Sequence, residues 1–181
     1  MDNSYNNEIR RRIKSLRDSM DTALADRLSG IITKKALMLD IIKNNSDFMI
    51  YRSFRNEVRT DGIIKALLGM GKRVAFPITV GDDMIAAIPE GNSFRTDRFG
   101  IAIPEKYTVM DEPDVIFVPL IACDVKKNRI GFGKGYFDRY LRGRSAFKIG
   151  LCYDMQVVEH IEKMPWDVPL DIILSEKRVI E

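Results

Sequence analysis

The chain has one histidine, His160, and two cysteines, Cys123 and Cys152, in 181 residues. A single histidine excludes a multi-histidine metal centre and argues against histidine as the general base. The cysteines lack metal-ligand spacing and read as buried free thiols beside strands. Long apolar runs are absent: Val115 to Val118 falls far short of the roughly 20 residues needed to cross a bilayer. Met1 to Asn7 is polar and carries no apolar signal segment, so a cytoplasmic location is expected. Neither charge sign dominates. Lys and Arg number 29 against 26 Asp and Glu, and a net charge of +3 is too small to argue for a nucleic-acid partner. No repeat, low-complexity tract or linker divides the chain, so residues 1–181 are expected to form one domain, with a monomer as the default.

The charge distribution is less even than the total. Arg10, Arg11, Arg12, Lys14 and Arg17 cluster near the start. Such a cluster is either a solvated helix face or a surface that reaches a polyanion. An RNA-binding reading rests on this cluster alone, and the cluster lacks the aromatic interleaving that would support it.

The richest segment runs from Arg129 to Tyr140, with glycines at Gly131, Gly133 and Gly135 and a lysine, Lys134, between the last two. Alternating glycines open backbone conformations closed to other residues and let a ligand approach closely. Residues from Tyr136 onward read as a helix start, and a glycine loop entering a helix presents free amides to an anion. Lys134 and Arg129 add full charges, so the loop suggests a nucleotide phosphate site. It is not a Walker A loop, because Lys134 is followed by Gly135 and Tyr136 rather than Ser or Thr. It is not a dinucleotide fingerprint either, because Tyr136 stands where the third glycine belongs.

Helical periodicity runs from Glu8 to Leu28 through Ile9, Ile13, Leu16, Met20, Leu24 and Leu28, and a second helix spans Ile31 to Ile42. Asp61 to Leu68 is a third, and Tyr136 to Leu141 a fourth. Strands are expected at Phe48–Tyr51, at Arg73–Phe76 where Pro77 stops it, and at Met84–Ile88. Further strands are expected at Val115–Val118, Phe147–Leu151 and Asp171–Leu174, with Arg178–Ile180 as an edge. Gly91 to Asp111 reads as irregular. Continuously apolar strands alternating with helices imply a three-layer α/β fold, Rossmann-like, with a mostly parallel sheet covered by helices on both faces. Ligands bind such sheets beyond the carboxyl ends of the strands.

The run Arg129 to Leu141, preceded by Val118-Pro119 and Asp124, resembles the signature of the 5-formyltetrahydrofolate cyclo-ligases, roughly R-[LI]-G-x-G-x-G-Y-[YF]-D-R-[YF]-L. Glu57-Val58-Arg59-Thr60 is similar to that family's E-[VI]-x-T. Gly71 to Pro77, Phe99-Gly100-Ile101 with Pro104-Glu105, and Asp167 to Asp171 with Ser175-Glu176 resemble further elements in order. The resemblance implies that 5-formyltetrahydrofolate and ATP become 5,10-methenyltetrahydrofolate, ADP and phosphate, with Mg²⁺. The formyl oxygen would attack the γ-phosphate. The N10 nitrogen would then close the ring and expel phosphate.

The same resemblance implies the site. Arg10, Arg129, Gly131, Phe132, Gly133, Lys134, Gly135, Tyr136 and Phe137 would hold ATP, with Lys134, Arg129 and Tyr136 closest to the chemistry. Glu57, Arg52, Phe54 and Tyr136 would hold the folate, Glu57 by accepting hydrogen bonds from pterin N–H groups. Asp138 and Asp171 would serve Mg²⁺; Asp138 reads equally as a helix-start aspartate. The family's N-terminal K-x-x-x-R places Asn6 at the lysine and Arg10 at the arginine, while Lys14-Ser15-Leu16-Arg17 offers a second register. Asn6 motivates an alternative, a non-catalytic relative that binds folate or nucleotide.

Overall fold

A computed structural model describes residues 4–98 and 100–181; Phe99, part of one family-like element, lies outside the described residues. The chain forms α1 (Ser4–Asp18), α2 (Thr22–Met38), α3 (Asp40–Asn44), β1 (Asp47–Ile50), α4 (Asp61–Gly69), β2 (Arg73–Val80) and β3 (Asp83–Pro89). There follow β4 (Phe94–Thr96), β5 (Ala102–Pro104), β6 (Tyr107–Met110), β7 (Val115–Val118), β8 (Ala122–Cys123) and β9 (Arg129–Ile130). The chain closes with α5 (Tyr136–Leu141), β10 (Phe147–Leu151), β11 (Ile172–Leu174) and β12 (Val179–Ile180).

Eight strands form one sheet in the order β12-β11-β10-β7-β1-β2-β3-β6. The five central strands, β11 to β2, are mutually parallel, and antiparallel strands flank them on both sides. The apolar run Val115–Val118 lies mid-sheet and is buried on both faces, as its unbroken hydrophobicity requires. Phe48, Ile50, Phe117, Ile149 and Leu174 pack on one face with residues of α2, α3 and α4. Met49, Ile116, Val118 and Ile173 pack on the other with Tyr140 and Leu141 of α5. Gly150 of β10 makes that second face possible. A Cβ there would lie 2.5 Å from Leu170 Cδ1 and 3.0 Å from Leu120 Cδ2, so the missing side chain lets two loop leucines lie on the sheet.

Four expectations are corrected. No helix starts at Ile31: residues 31–38 are the end of α2, and the break falls at Leu39 before α3. The periodicity from Glu8 to Leu28 belongs to two helices, because the chain breaks at Ser19–Asp21 and the Asp21 carboxylate caps the new helix at the Ala23 amide. Pro77 does not stop its strand. Past Ala75, β2 pairs with β3 alone, and a residue without an N–H is tolerated where one edge is open. The stretch from Gly91 to Asp111 holds the β4–β5 hairpin and β6, which pairs with β3.

Candidate active site

Three segments gather beyond the carboxyl ends of the parallel strands: the loop Tyr51–Thr60 after β1, the hairpin and glycine loop after β7, and the inner face of α1. The hairpin is built by Asp124. Its buried carboxylate accepts from the amides of Lys126, Asn128 and Ile161 and from Asn128 Nδ2. That geometry sends β9 back with Arg129 buried at the mouth of the glycine loop. Arg129 Nη2 donates to Asp138 Oδ1 at 2.7 Å. Burial pushes the guanidinium down from its ordinary range, partly offset by Asp138 and Asp167. Burial also raises Asp138, against the pull of Arg129.

Gly133 and Gly135 take left-handed conformations, with φ of +89° and +69°. Gly135 begins α5 without a side-chain cap. Because α5 has six residues, the loop offers an anion its amides and nearby cations more than a long helix dipole. Arg10 Nε donates to Gly131 O at 2.9 Å, and its guanidinium lies beside Gly133, so α1 braces the loop. Lys134 is exposed and its ammonium makes no hydrogen bond or ion pair with the described residues. With Tyr136, Arg139, Asp82 and Arg98 it lines a cleft of about 660 Å³. Arg98 donates to the Tyr136 hydroxyl at 2.7 Å.

The second part of the site surrounds Glu57. The loop after β1 folds on itself: Thr60 Oγ1 donates to Tyr51 O at 2.8 Å and accepts from the Ser53 amide. This turns Glu57 inward. Its carboxylate accepts from the Phe54 amide at 2.9 Å, and its carbonyl accepts from the Tyr153 hydroxyl at 3.1 Å. Burial raises its pKa to about 6, although the Phe54 amide, Arg17 and Arg59 oppose the rise. Arg17, Tyr51, Val58, Leu120, Leu151 and Gln156 complete a narrow crevice around it.

The sequence profile of the 5-formyltetrahydrofolate cyclo-ligase family matches residues 2–176. The chain belongs to this family. The cyclo-ligase of Haemophilus influenzae is 29% identical over 96% of this chain and 99% of its own. That of Escherichia coli is 30% identical over 73% and 79%. The NMR structure of Aquifex aeolicus 5,10-methenyltetrahydrofolate synthetase superposes with a TM-score of 0.87 at 27% identity, covering 96% of this chain and 91% of that one. The structure of the Mycoplasma pneumoniae synthetase gives a TM-score of 0.74 at 27% identity over 97% and 99%. The protein is thus an enzyme of the cyclo-ligase class.

Within this cyclo-ligase, the residues expected from the sequence separate into groups. Arg10, Arg129, Gly131, Phe132, Gly133, Lys134, Gly135, Tyr136 and Asp138 meet at the glycine loop. Phe137, like Tyr136, also packs against the core beneath α5. Glu57 and Phe54 meet in the β1 loop. Arg52 stacks between the rings of Phe76 and Phe94, at 4.4 and 4.5 Å from their centroids. Asp171 is not brought to the loop; it lies just before β11, paired with Lys148 at 2.7 Å. Asn6, which one register of the N-terminal element puts at the family's lysine, exchanges hydrogen bonds with the Glu162 backbone and so docks α1.

The basic cluster is divided as well. Arg11 and Arg12 face solvent, Arg10 braces the loop, and Arg17 is only 2% exposed. The sequence offered Arg17 only within a second register of the N-terminal element, not as a group buried beside Glu57. The available signal was its place on the Ile9–Ile13 stripe, four residues past Ile13, where a charge has no structural reason to be.

Proposed function

We propose that this cyclo-ligase converts 5-formyltetrahydrofolate to 5,10-methenyltetrahydrofolate with consumption of ATP and release of ADP and phosphate. The observation that carries the reading is the convergence of a cationic glycine loop and a buried carboxylate, bridged by α1 through Arg10 and Arg17. Phosphoryl transfer asks a protein for positioning and charge neutralisation more than for covalent help. The open amides at Gly133 and Gly135 suit phosphate oxygens, and Lys134, unpaired within the described residues, suits the charge that develops as the γ-phosphoryl group moves. Arg129 stays buried, orients Asp138 and keeps the loop mouth positive. Glu57, ionised above pH about 6, accepts from pterin N–H groups and fixes the ring. The formyl oxygen then attacks the γ-phosphate, the N10 nitrogen attacks the activated carbon, and phosphate leaves.

The residues fit Mg²⁺. Asp138, half-buried, with Asp167 close enough to influence it, offers hard carboxylate oxygens beside the loop; one or two carboxylates plus phosphates suffice for this ion. Among the described residues no cluster of three His, Cys, Asp or Glu side chains forms a complete protein cage. Bound there, the ion would neutralise phosphate charge. Asp171, held by Lys148, would need to leave that pair to take part.

The reading is tested by stoichiometry. One ADP should form per methenyl product, and neither should form without the other substrate. Folate binding without ATP consumption would favour a non-catalytic relative.

A further inference from the structure

Arg17 is the most buried cation among the described residues. Its Nε and Nη1 have no hydrogen-bond partner, and its guanidinium forms no ion pair with the described residues. Its neighbours are the Phe132 ring, 5.8 Å away, and the walls of the Glu57 crevice. That crevice leaves no space wide enough for a water molecule. Two buried guanidinium nitrogens with neither acceptor nor solvent are retained at a cost to folding unless a ligand supplies the acceptor.

The adjoining carboxylate narrows the ligand. Glu57 offers an acceptor and Arg17 a donor, in one crevice. A 4-oxo pterin edge presents the complement: the 2-amino and N3–H donors, then the O4 acceptor. Resting on the folate reading above, we propose that Arg17 is a substrate-binding residue that donates to the 4-oxo oxygen of the pterin while Glu57 takes the neighbouring N–H groups. With Glu57 holding the pterin edge, the formyl oxygen is the other acceptor of that ring system, but a guanidinium bonded to it would withdraw the electrons it needs to attack phosphate. Phe132, half-exposed on the glycine loop, is the side chain that can swing aside to admit the ring.

The test compares equilibrium binding of 5-formyltetrahydrofolate and its 4-amino counterpart, in which a donor replaces the oxygen, to wild type and to Arg17→Met. The 4-amino ring also changes the hydrogen at N3, an effect on Glu57 common to both proteins that cancels in the ratio of preferences. Wild type should prefer the 4-oxo ligand. Arg17→Met should narrow that preference by about 10-fold or more, leave ATP binding unchanged, and melt no lower than wild type when unliganded. Arg17→Lys, which keeps a charged donor, should restore part of the preference. An unchanged ratio in Arg17→Met, equal binding of both ligands by wild type, or a variant that fails to fold would overturn the assignment. Wild type that binds no reduced folate would overturn the functional reading itself.

Discussion

Arg129 and Asp138 form a nearly buried ion pair, 2.7 Å apart, that ties the mouth of the glycine loop to the first turn of α5. Neither group is comfortable alone, since burial works against the charge on each. The pair therefore matters more when broken than when formed.

Asp138→Asn leaves Arg129 buried without its counter-charge. A loss of about 3 kcal/mol in unfolding free energy is expected from urea denaturation. An unchanged midpoint would show that Arg129 finds another partner, with Asp167 the candidate.

Lys134→Ala should separate function from folding. The exposed ammonium holds no partner among the described residues, so stability should change by less than about 0.5 kcal/mol. Turnover should fall by about 100-fold or more, the scale for losing one charge-stabilising group. Unaltered turnover would remove Lys134 from the phosphate site.

Glu57 gives a pH signature with a definite sign. Its pKa rises from the ordinary 4.5 to about 6 on folding. Below pH 4.5 the carboxyl is protonated in both states and costs nothing. As pH rises past 6, the folded protein must carry a buried charge at a cost of about 2 kcal/mol. Glu57→Gln should therefore gain about 2 kcal/mol over wild type between pH 4.5 and 6.5, while losing about 10- to 100-fold in folate affinity. A stability difference that does not change with pH would contradict the raised pKa.

Gly135→Ala tests the loop's shape. At φ +69° an added Cβ would be strained, and it would lie 2.9 Å from Arg139 Nη1. Arg139 bonds Lys134 O and Asp82 O, so the clash would spread through the cleft wall. A loss of about 1–2 kcal/mol from the left-handed alanine, with weakened ATP binding, is expected from thermal melts and titration. Wild-type behaviour would mean the loop has another conformation open to it.

Much of this was legible in the sequence where one physical cause dominates. Val115–Val118 reads as a central strand because only double burial explains four apolar residues in a row. Gly131, Gly133 and Gly135 announce a loop because few other patterns need such backbone freedom. Legibility failed where tertiary context decides. The heptad-like run to Leu28 conceals a break, because Leu16 and Leu24, which complete the pattern, are exposed, whereas the Asp21 cap is a local event. Pro77 was misread because its tolerance depends on which neighbours β2 has beyond Ala75. Arg17 was hidden among basic neighbours, and only the direction of its side chain separates it from them. Asp171, expected from the family pattern at the metal site, is taken up by Lys148, a pairing set by parallel register rather than by sequence distance.

The most direct measurement is absorbance at the methenyltetrahydrofolate band, with protein, 5-formyltetrahydrofolate, Mg²⁺ and ATP mixed against a control lacking ATP. Growth of the band should require ATP and be lost in Lys134→Ala. A flat trace from folded wild-type protein, with both ligands shown to bind, would contradict the proposed function.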